Sequence, residues 1–330
     1  MILLARVLGI DLGTANTSVS VRGKGVVLSE PSIVAVHESR GVEVVGDAAQ
    51  CLADKDPDGS TLHFPVRDSV IADYAVAVKL LRPLIRRACG RWQLLKPAAV
   101  VCVPNGINTV EKLAVLQACR EAGVAKVATI REPLAAAVGL NIPTGEPSAH
   151  IVVDIGAGTT NIVAVSLDRV VLDSSISVGG EALSDSLLRT LRADHNMIVS
   201  DYTVRKIKHE IGSAAPLDPE VSMIVHGRDL QEGFPRVLRL TSEEVRSAIA
   251  EPIARSVNWI RSTFQHASAE LMSEAMINGV TLSGGGALLQ GMDRLLHLET
   301  GLPFRVADDP IHCAAIGASK AFDRPNLLQY

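Results

Sequence analysis

Two stretches of the chain place an acid, a glycine turn and small hydroxyl residues in the same order. "GIDLGTANTSV", residues 9–19, carries Asp11, Gly13, Thr14, Ala15 and Asn16. "VVDIGAGTTNIVAV", residues 152–165, carries Asp154, Gly156, Ala157, Gly158, Thr159 and Thr160. A turn of small residues lets backbone N–H groups come close to an anion. A carboxylate at the strand end beside such a turn suits Mg²⁺, which keeps several waters and favours carboxylates together with phosphates. Two such turns facing each other would grip a polyphosphate from both sides, with Asp11 and Asp154 holding the metal through water. A third piece, "LSGGGALLQG" (residues 282–291), ends a strand, turns through Gly284, Gly285 and Gly286, and starts a helix. Its bare glycine surface could accept an adenine ring or a ribose; a plain strand-to-helix turn is the alternative.

The elements that must position these residues repeat as well. "RVLGIDLG" reads as a buried strand, and "ANTSVSVRGKGVVLS" continues as a hairpin turning at "RGKG". In the second half "AHIVVDIG" is the strand and "TTNIVAVSLDRVVLDSSI" the hairpin, turning near "LDR". Asp11 and Asp154 lie about half the chain apart. A gene duplication follows: two α/β domains, each offering one acidic hairpin to a shared cleft. Coincidence between two glycine-bearing hairpins is the competing explanation.

Between the hairpins lie helices. "NTVEKLAVLQACREAG" has Asn108 as N-cap, Glu111 as its capping-box partner and Gly123 as the stop. "TSEEVRSAIAEPIARSVNWIRSTF" repeats the box with Thr241 and Glu244, and carries the stripe Val245, Ile249, Ile253, Val257, Ile260 and Phe264. Pro252 is expected to kink it. Leu183, Leu187 and Leu191 share one face of a further helix. Residues 30–70 and 196–240 read as small subdomains.

Composition excludes several classes. Of 330 residues, 47 % are hydrophobic but only 3 % aromatic, so the core is aliphatic. A net charge of −4 argues against nucleic acid as a partner. No apolar run reaches the roughly 18 residues that span a bilayer. The opening "MILLARVLGI" has no recognisable signal-peptide pattern. The five cysteines (Cys51, Cys89, Cys102, Cys119, Cys313) show no CxxC and read as reduced core residues of a cytosolic protein.

With these motifs in order, the chain resembles the MreB family of bacterial actins, within the superfamily that also holds sugar kinases and heat-shock-chaperone ATPases. "LGIDLGTANTSV", "KGVVLSEPSIVAV", "REPLAAAVGLNIP", "VVDIGAGTTNIVAVSL", "SVGGEAL", "IKHEIGSA" and "LSGGGALLQGMDRLL" carry the resemblance from about residue 8 to about 320. It implies an actin-like ATPase fold: two duplicated RNase H-like α/β lobes around a nucleotide cleft, each with a smaller inserted subdomain. Lobe I would take residues 1–145 (core 1–31 and 70–145, small subdomain about 32–69) and be completed by 311–330. Lobe II would take 146–310 (core 146–182 and 241–310, small subdomain about 183–240).

The resemblance further implies ATP and Mg²⁺ as ligands. Gly13, Thr14, Ala15, Asn16, Gly156, Gly158, Thr159 and Thr160 become phosphate contacts. Glu132 of "REPLAAA" becomes the residue that orients or deprotonates the attacking water, with Thr159 helping to hold it. A helix-start carboxylate beside Pro133, favoured there by the helix dipole, is the plainer reading of Glu132. Gly284, Gly285, Gly286, Ala287 and Leu288 carry over to adenosine, and Lys208 to the adenine and ribose edge. The chain also departs from the family, having Arg131 and Asn161 where acids are usual, Arg205 where a ribose-binding Glu is usual, and Ala157 for a glycine.

By the same resemblance the protein would polymerise with itself under the inner face of the cytoplasmic membrane. There it would meet cell-wall elongation and membrane anchor proteins. It would be cytoplasmic and peripheral, organising wall synthesis and rod shape. A filament scaffold with little hydrolysis, or a non-polymerising kinase- or chaperone-like ATPase of the same fold, are the alternatives. "LLRPLIRRACGRWQLLKP" (residues 80–97) mixes Leu81, Leu84, Ile85, Trp92, Leu94 and Leu95 with five basic residues. That suits either an anionic bilayer surface or a helix packed on the core. The tip, Trp92, Leu94 and Leu95, is expected to touch membrane.

Overall fold

A computed structural model describes residues 6–37, 42–55, 60–90 and 95–329, the side chains at 42 and 53–55 excepted. The chain divides into two compact units: Met1–Val152, Asn161–Ser175 and Ile311–Tyr330 form one, Val153–Thr160 and Ile176–Pro310 the other.

In the first unit a five-stranded sheet runs in the order Lys126–Arg131, Ala98–Val103, Val7–Leu12, Asn16–Val21, Gly25–Pro31. The first three strands are parallel, and the last two are joined to them as antiparallel hairpins. The parallel strands are nearly continuous apolar runs because both faces are covered. Side chains alternate between the faces of a strand. Accordingly Ala99, Val101 and Val103 enter one core with the helices Tyr74–Cys89 and Thr109–Glu121. Val100 and Cys102 enter another with the helices Glu132–Gly139 and Cys313–Ala321. Those last two helices meet backbone to backbone: a Cβ at Gly317 would lie 1.7 Å from the Ala135 carbonyl oxygen, and one at Gly139 1.9 Å from that of Cys313. This contact seats the helix whose first residue is Glu132.

A second five-stranded sheet repeats the plan in the order Arg169–Ile176, Thr160–Ser166, His150–Ile155, Val280–Ser283, Phe304–Val306. In both sheets the acid-bearing strand is central, its hairpin lies to one side and two later strands to the other. The duplication read from the acid and glycine pattern is therefore a duplication of topology.

Two small sheets complete the units. Val42–Val45, Val34–His37 and Ser60–His63 pack on the helix Asp47–Lys55 around Ile33, Ala35 and Ala49. Met197–Ile198, Ser222–Asp229 and Pro235–Thr241 form the other. The two capping boxes, Asn108 with Glu111 and Thr241 with Glu244, are both formed. The stripe from Val245 to Phe264 is buried throughout, and the helix Ser242–Gln265 runs on through Pro252. One expectation is corrected: Cys51 is exposed on the helix Asp47–Lys55, while the other four cysteines are buried. That short helix covers a core too small to enclose it on all sides.

Candidate functional site

The first turn is built from the end of the strand Val7–Leu12. The Gly13 amide donates to the Asn16 carbonyl at 3.1 Å. A Cβ at Gly13 would stand 2.8 Å from that same oxygen, so the turn closes only around glycine. Ser32, just past the strand Gly25–Pro31, braces it: its hydroxyl donates to the Gly13 carbonyl at 2.7 Å and its amide to the Ala15 carbonyl at 2.9 Å. The Thr14 hydroxyl accepts from the Ser69 amide at 2.9 Å. Asp11, opposite Ser18 in the hairpin register, is half-buried just before the turn, and Asn16 is exposed at its tip. The bracing role of Ser32 was not anticipated; its only sequence signal is a hydroxyl after Pro31.

The second turn is made the same way, the Gly156 amide donating to the Thr159 carbonyl at 2.8 Å. Asp154 is 3 % exposed, and its Oδ1 accepts from the Ser283 hydroxyl at 2.6 Å. Ser283 ends the strand that leads into the three glycines, so one hydrogen bond ties the acid to that loop. Thr159 and Thr160 are both buried. The Thr160 hydroxyl donates to the Val178 carbonyl at 2.7 Å. The turn is also bound to the start of the helix Gly180–Ala193: the Gly180 amide donates to the Gly156 carbonyl at 2.9 Å and the Glu181 amide to that of Ala157 at 2.8 Å.

Lys208 approaches from the helix Asp201–Ile211. Its Nζ donates to the Gly180 carbonyl at 2.8 Å and to the Ser184 hydroxyl at 3.0 Å. Burial brings its pKa down to about 8; Arg205 adds to the shift, while Glu181 and Asp185 oppose it. Arg205 is half-buried one turn earlier.

The glycine loop is more tightly packed than a bare platform. Gly284 has φ +79°, and its Cβ would lie 2.3 Å from the Ile155 carbonyl oxygen; that of Gly286 would lie 2.2 Å from the Ile155 side chain. Only at Gly285 would a Cβ meet nothing within 4 Å. The loop continues as a single 3₁₀ turn, Gly285–Leu288, with Ala287 buried and Leu288 exposed.

Glu132 opens the helix Glu132–Gly139 and is half-buried, with Arg131 as an N-cap that makes no side-chain capping bond. A carboxylate in a first turn is favoured by the helix dipole. The Arg131 guanidinium instead binds Asp173 at 2.6 Å. Burial pushes the Asp173 carboxyl up, against the pull of Arg131. Asn161 is buried and accepts from the Ser175 hydroxyl at 2.7 Å.

Among the described residues no cluster of three or more His, Cys, Asp or Glu could hold a metal ion. The carboxylates of Asp11 and of Asp154 are each the donor type that Mg²⁺ takes together with water and ligand oxygens.

The sequence signature of the family described as MreB/Mbl protein matches residues 5–329. The chain belongs to the MreB/Mbl family. It is 39 % identical over 322 residues to the cell shape-determining protein MreB of Escherichia coli (strain K12), covering 96 % of this chain and 93 % of that one. The crystal structure of MreB5 of Spiroplasma citri bound to ADP superposes with a TM-score of 0.90 at 29 % identity, covering 98 % of each chain. The AMPPNP-bound structure of the same protein gives 0.89 at 30 %, covering 97 % of this chain and 96 % of that one. A MamK double helical filament, 20 % identical, shares the fold with a TM-score of 0.80, covering 97 % of this chain and 99 % of that one. The fold of this MreB/Mbl chain is actin-like.

The basic, apolar stretch of this MreB/Mbl chain resolves in two parts. Leu81, Leu84 and Ile85 of the helix Tyr74–Cys89 are fully buried, so that part is core and not membrane surface. Arg87 is ion-paired with Glu30, and Arg82 donates to the Glu121 carbonyl at 3.1 Å. At the tip, Trp92 and Leu94 lie outside the described residues, and Leu95 is 51 % exposed. Among the described residues no helix is long and apolar enough to cross a membrane.

Proposed function

We propose that this chain is an ATP-binding, ATP-hydrolysing bacterial actin. It polymerises into filaments under the inner face of the cytoplasmic membrane and organises cell-wall synthesis and rod shape. The observation that carries the reading is the duplicated glycine turn, Gly13 to Asn16 and Gly156 to Thr159, in a family with solved ADP- and AMPPNP-bound members. The filament reading draws on family membership and on the polymeric state of MamK. Wall-elongation and membrane anchor proteins are the proposed partners.

In this reading the amides of both turns hold the phosphates. Asp11 and Asp154 would hold Mg²⁺ through water, and the ion when bound would offset phosphate charge. Gly284–Leu288 lines the adenosine with Arg205, and the resemblance places Lys208 there too. Water is a poor nucleophile, and phosphoryl transfer is mostly positioning and charge stabilisation. Glu132 draws the proton from the attacking water, and the Thr159 hydroxyl helps to hold that water.

A second reading, a scaffold that binds ATP but scarcely hydrolyses it, is favoured by one observation. Arg131, paired with Asp173, and Asn161, bonded to Ser175, stand where the resemblance expects acids. Thermal unfolding with millimolar Mg-ATP tests the nucleotide assignment, because a ligand that binds only the folded chain must raise Tm; no shift would sink it. Pelleting with and without Mg-ATP tests polymerisation, and phosphate release separates the two readings.

A further inference from the structure

Asn105 follows the strand Ala98–Val103, in a turn that continues through Gly106 at φ +74°. The residue as a whole is partly exposed, yet its Oδ1 and Nδ2 are both shut off from solvent, so the amide end is turned inward. Neither atom has a hydrogen-bond partner among the described residues. An asparagine in a turn commonly bonds its own backbone two residues on; Asn105 does not. Nor does it cap the helix Thr109–Glu121, where Asn108 and Glu111 form the box. A buried polar group left unpaired is costly, and native folds keep few. The fold around Asn105 makes no use of its amide.

The position of the residue says what could use it. Three parallel strands end at one edge of the sheet, with Ala98–Val103 in the middle. On one side Ile10 pairs with Val101, which sets Leu12 level with Val103, and Gly13 opens the first turn directly after Leu12. On the other side Arg131 pairs with Val103, and Glu132 follows directly. Open α/β sheets take ligands outside the carboxyl ends of their parallel strands. We infer that the Asn105 amide holds the attacking water, between the Gly13 turn and the Glu132 carboxylate. The inference rests on the reading that Glu132 draws the proton from that water. A phosphate oxygen accepts and does not donate, so it could satisfy Nδ2 but not Oδ1; a water satisfies both. One O–H of the water donates to Oδ1 and the other to Glu132. One lone pair accepts from Nδ2, and the other attacks phosphorus. As that O–P bond forms, the bond to the departing ADP oxygen breaks with its electron pair, and the proton passes to Glu132.

The test measures phosphate release and Mg-ATP affinity of the full chain for wild type, Asn105→Leu, Glu132→Ala and the double variant. Leucine fills a similar space and removes both polar atoms. Asn105→Leu is expected to slow phosphate release about tenfold or more, the scale for hydrogen bonds lost in the transition state. Its ATP affinity is expected to move less than about threefold, since the amide touches water and not nucleotide. In the Glu132→Ala background the same substitution should slow release by less than about threefold further, because groups that act on one water are not additive. Unchanged release in Asn105→Leu would overturn the inference. So would an equal loss of ATP affinity, which would place the amide on the nucleotide, and so would full additivity in the double variant. If Asn105→Leu does not fold, Asn105→Ala is read in its place. A wild-type chain that binds Mg-ATP but releases no phosphate would instead remove the hydrolytic reading and the inference with it, and one that binds no Mg-ATP would remove the nucleotide reading.

Discussion

Gly179 lies directly beneath Ala157. A Cβ at position 179 would stand 2.5 Å from the Ala157 carbonyl oxygen and 2.6 Å from that of Gly156. Both are backbone atoms of the second turn, so neither can rotate away. Gly179→Ala should therefore displace the turn or the helix that follows it. The expected cost is about 1–3 kcal/mol of stability, the range for overpacking, together with weaker ADP binding. Thermal unfolding and ADP titration check this; a variant with wild-type values in both would mean the turn has slack that the geometry denies.

Glu132→Ala is expected to keep ATP binding and to slow phosphate release by about a hundredfold or more, the scale for losing a general base. Unchanged turnover would reduce Glu132 to a helix-start carboxylate.

Glu220 supplies a dependence on acid. Hydrogen bonds from Arg246 and Ser242 hold its carboxyl at about 2, below the ordinary 4.5. A carboxylate with a depressed folded pKa adds stability above its unfolded pKa and loses it as pH falls through the folded one. The stability difference between wild type and Glu220→Gln should thus be full above about pH 4.5 and shrink toward pH 2. Denaturant unfolding of both chains at pH 5 and pH 2.5 measures it; a gap that stays constant contradicts the pairing.

Trp92→Ser combined with Leu94→Ser is expected to abolish co-sedimentation with anionic liposomes while leaving ATP binding and pelleting intact. Each large apolar side chain is worth about 1.5–3 kcal/mol when buried, and filaments multiply the contacts. Liposome flotation and circular dichroism are read together. An unfolded double variant would make these residues core and remove the membrane reading.

Much of this protein is set by residues that are close in sequence. The Asp-x-Gly turns, the hairpins, both capping boxes and the stripe from Val245 to Phe264 depend on neighbours a few positions away. Short-range spacing is enough to specify them. Periodicity marks a buried face but does not say what covers it: Leu81, Leu84 and Ile85 read equally as lipid-facing or core from sequence, and packing in one core with the sheet residues makes them core. Thr159 and Thr160 look alike as letters, yet the Thr160 hydroxyl is bonded to Val178. The pairs that shape the site lie far apart in the chain: Asp154 with Ser283, Arg131 with Asp173, Lys208 with Gly180. Nothing local in the sequence specifies such pairs. They exist because parallel strands and the helices packed on them bring distant chain ends within hydrogen-bond range, and only the tertiary structure decides which ends those are.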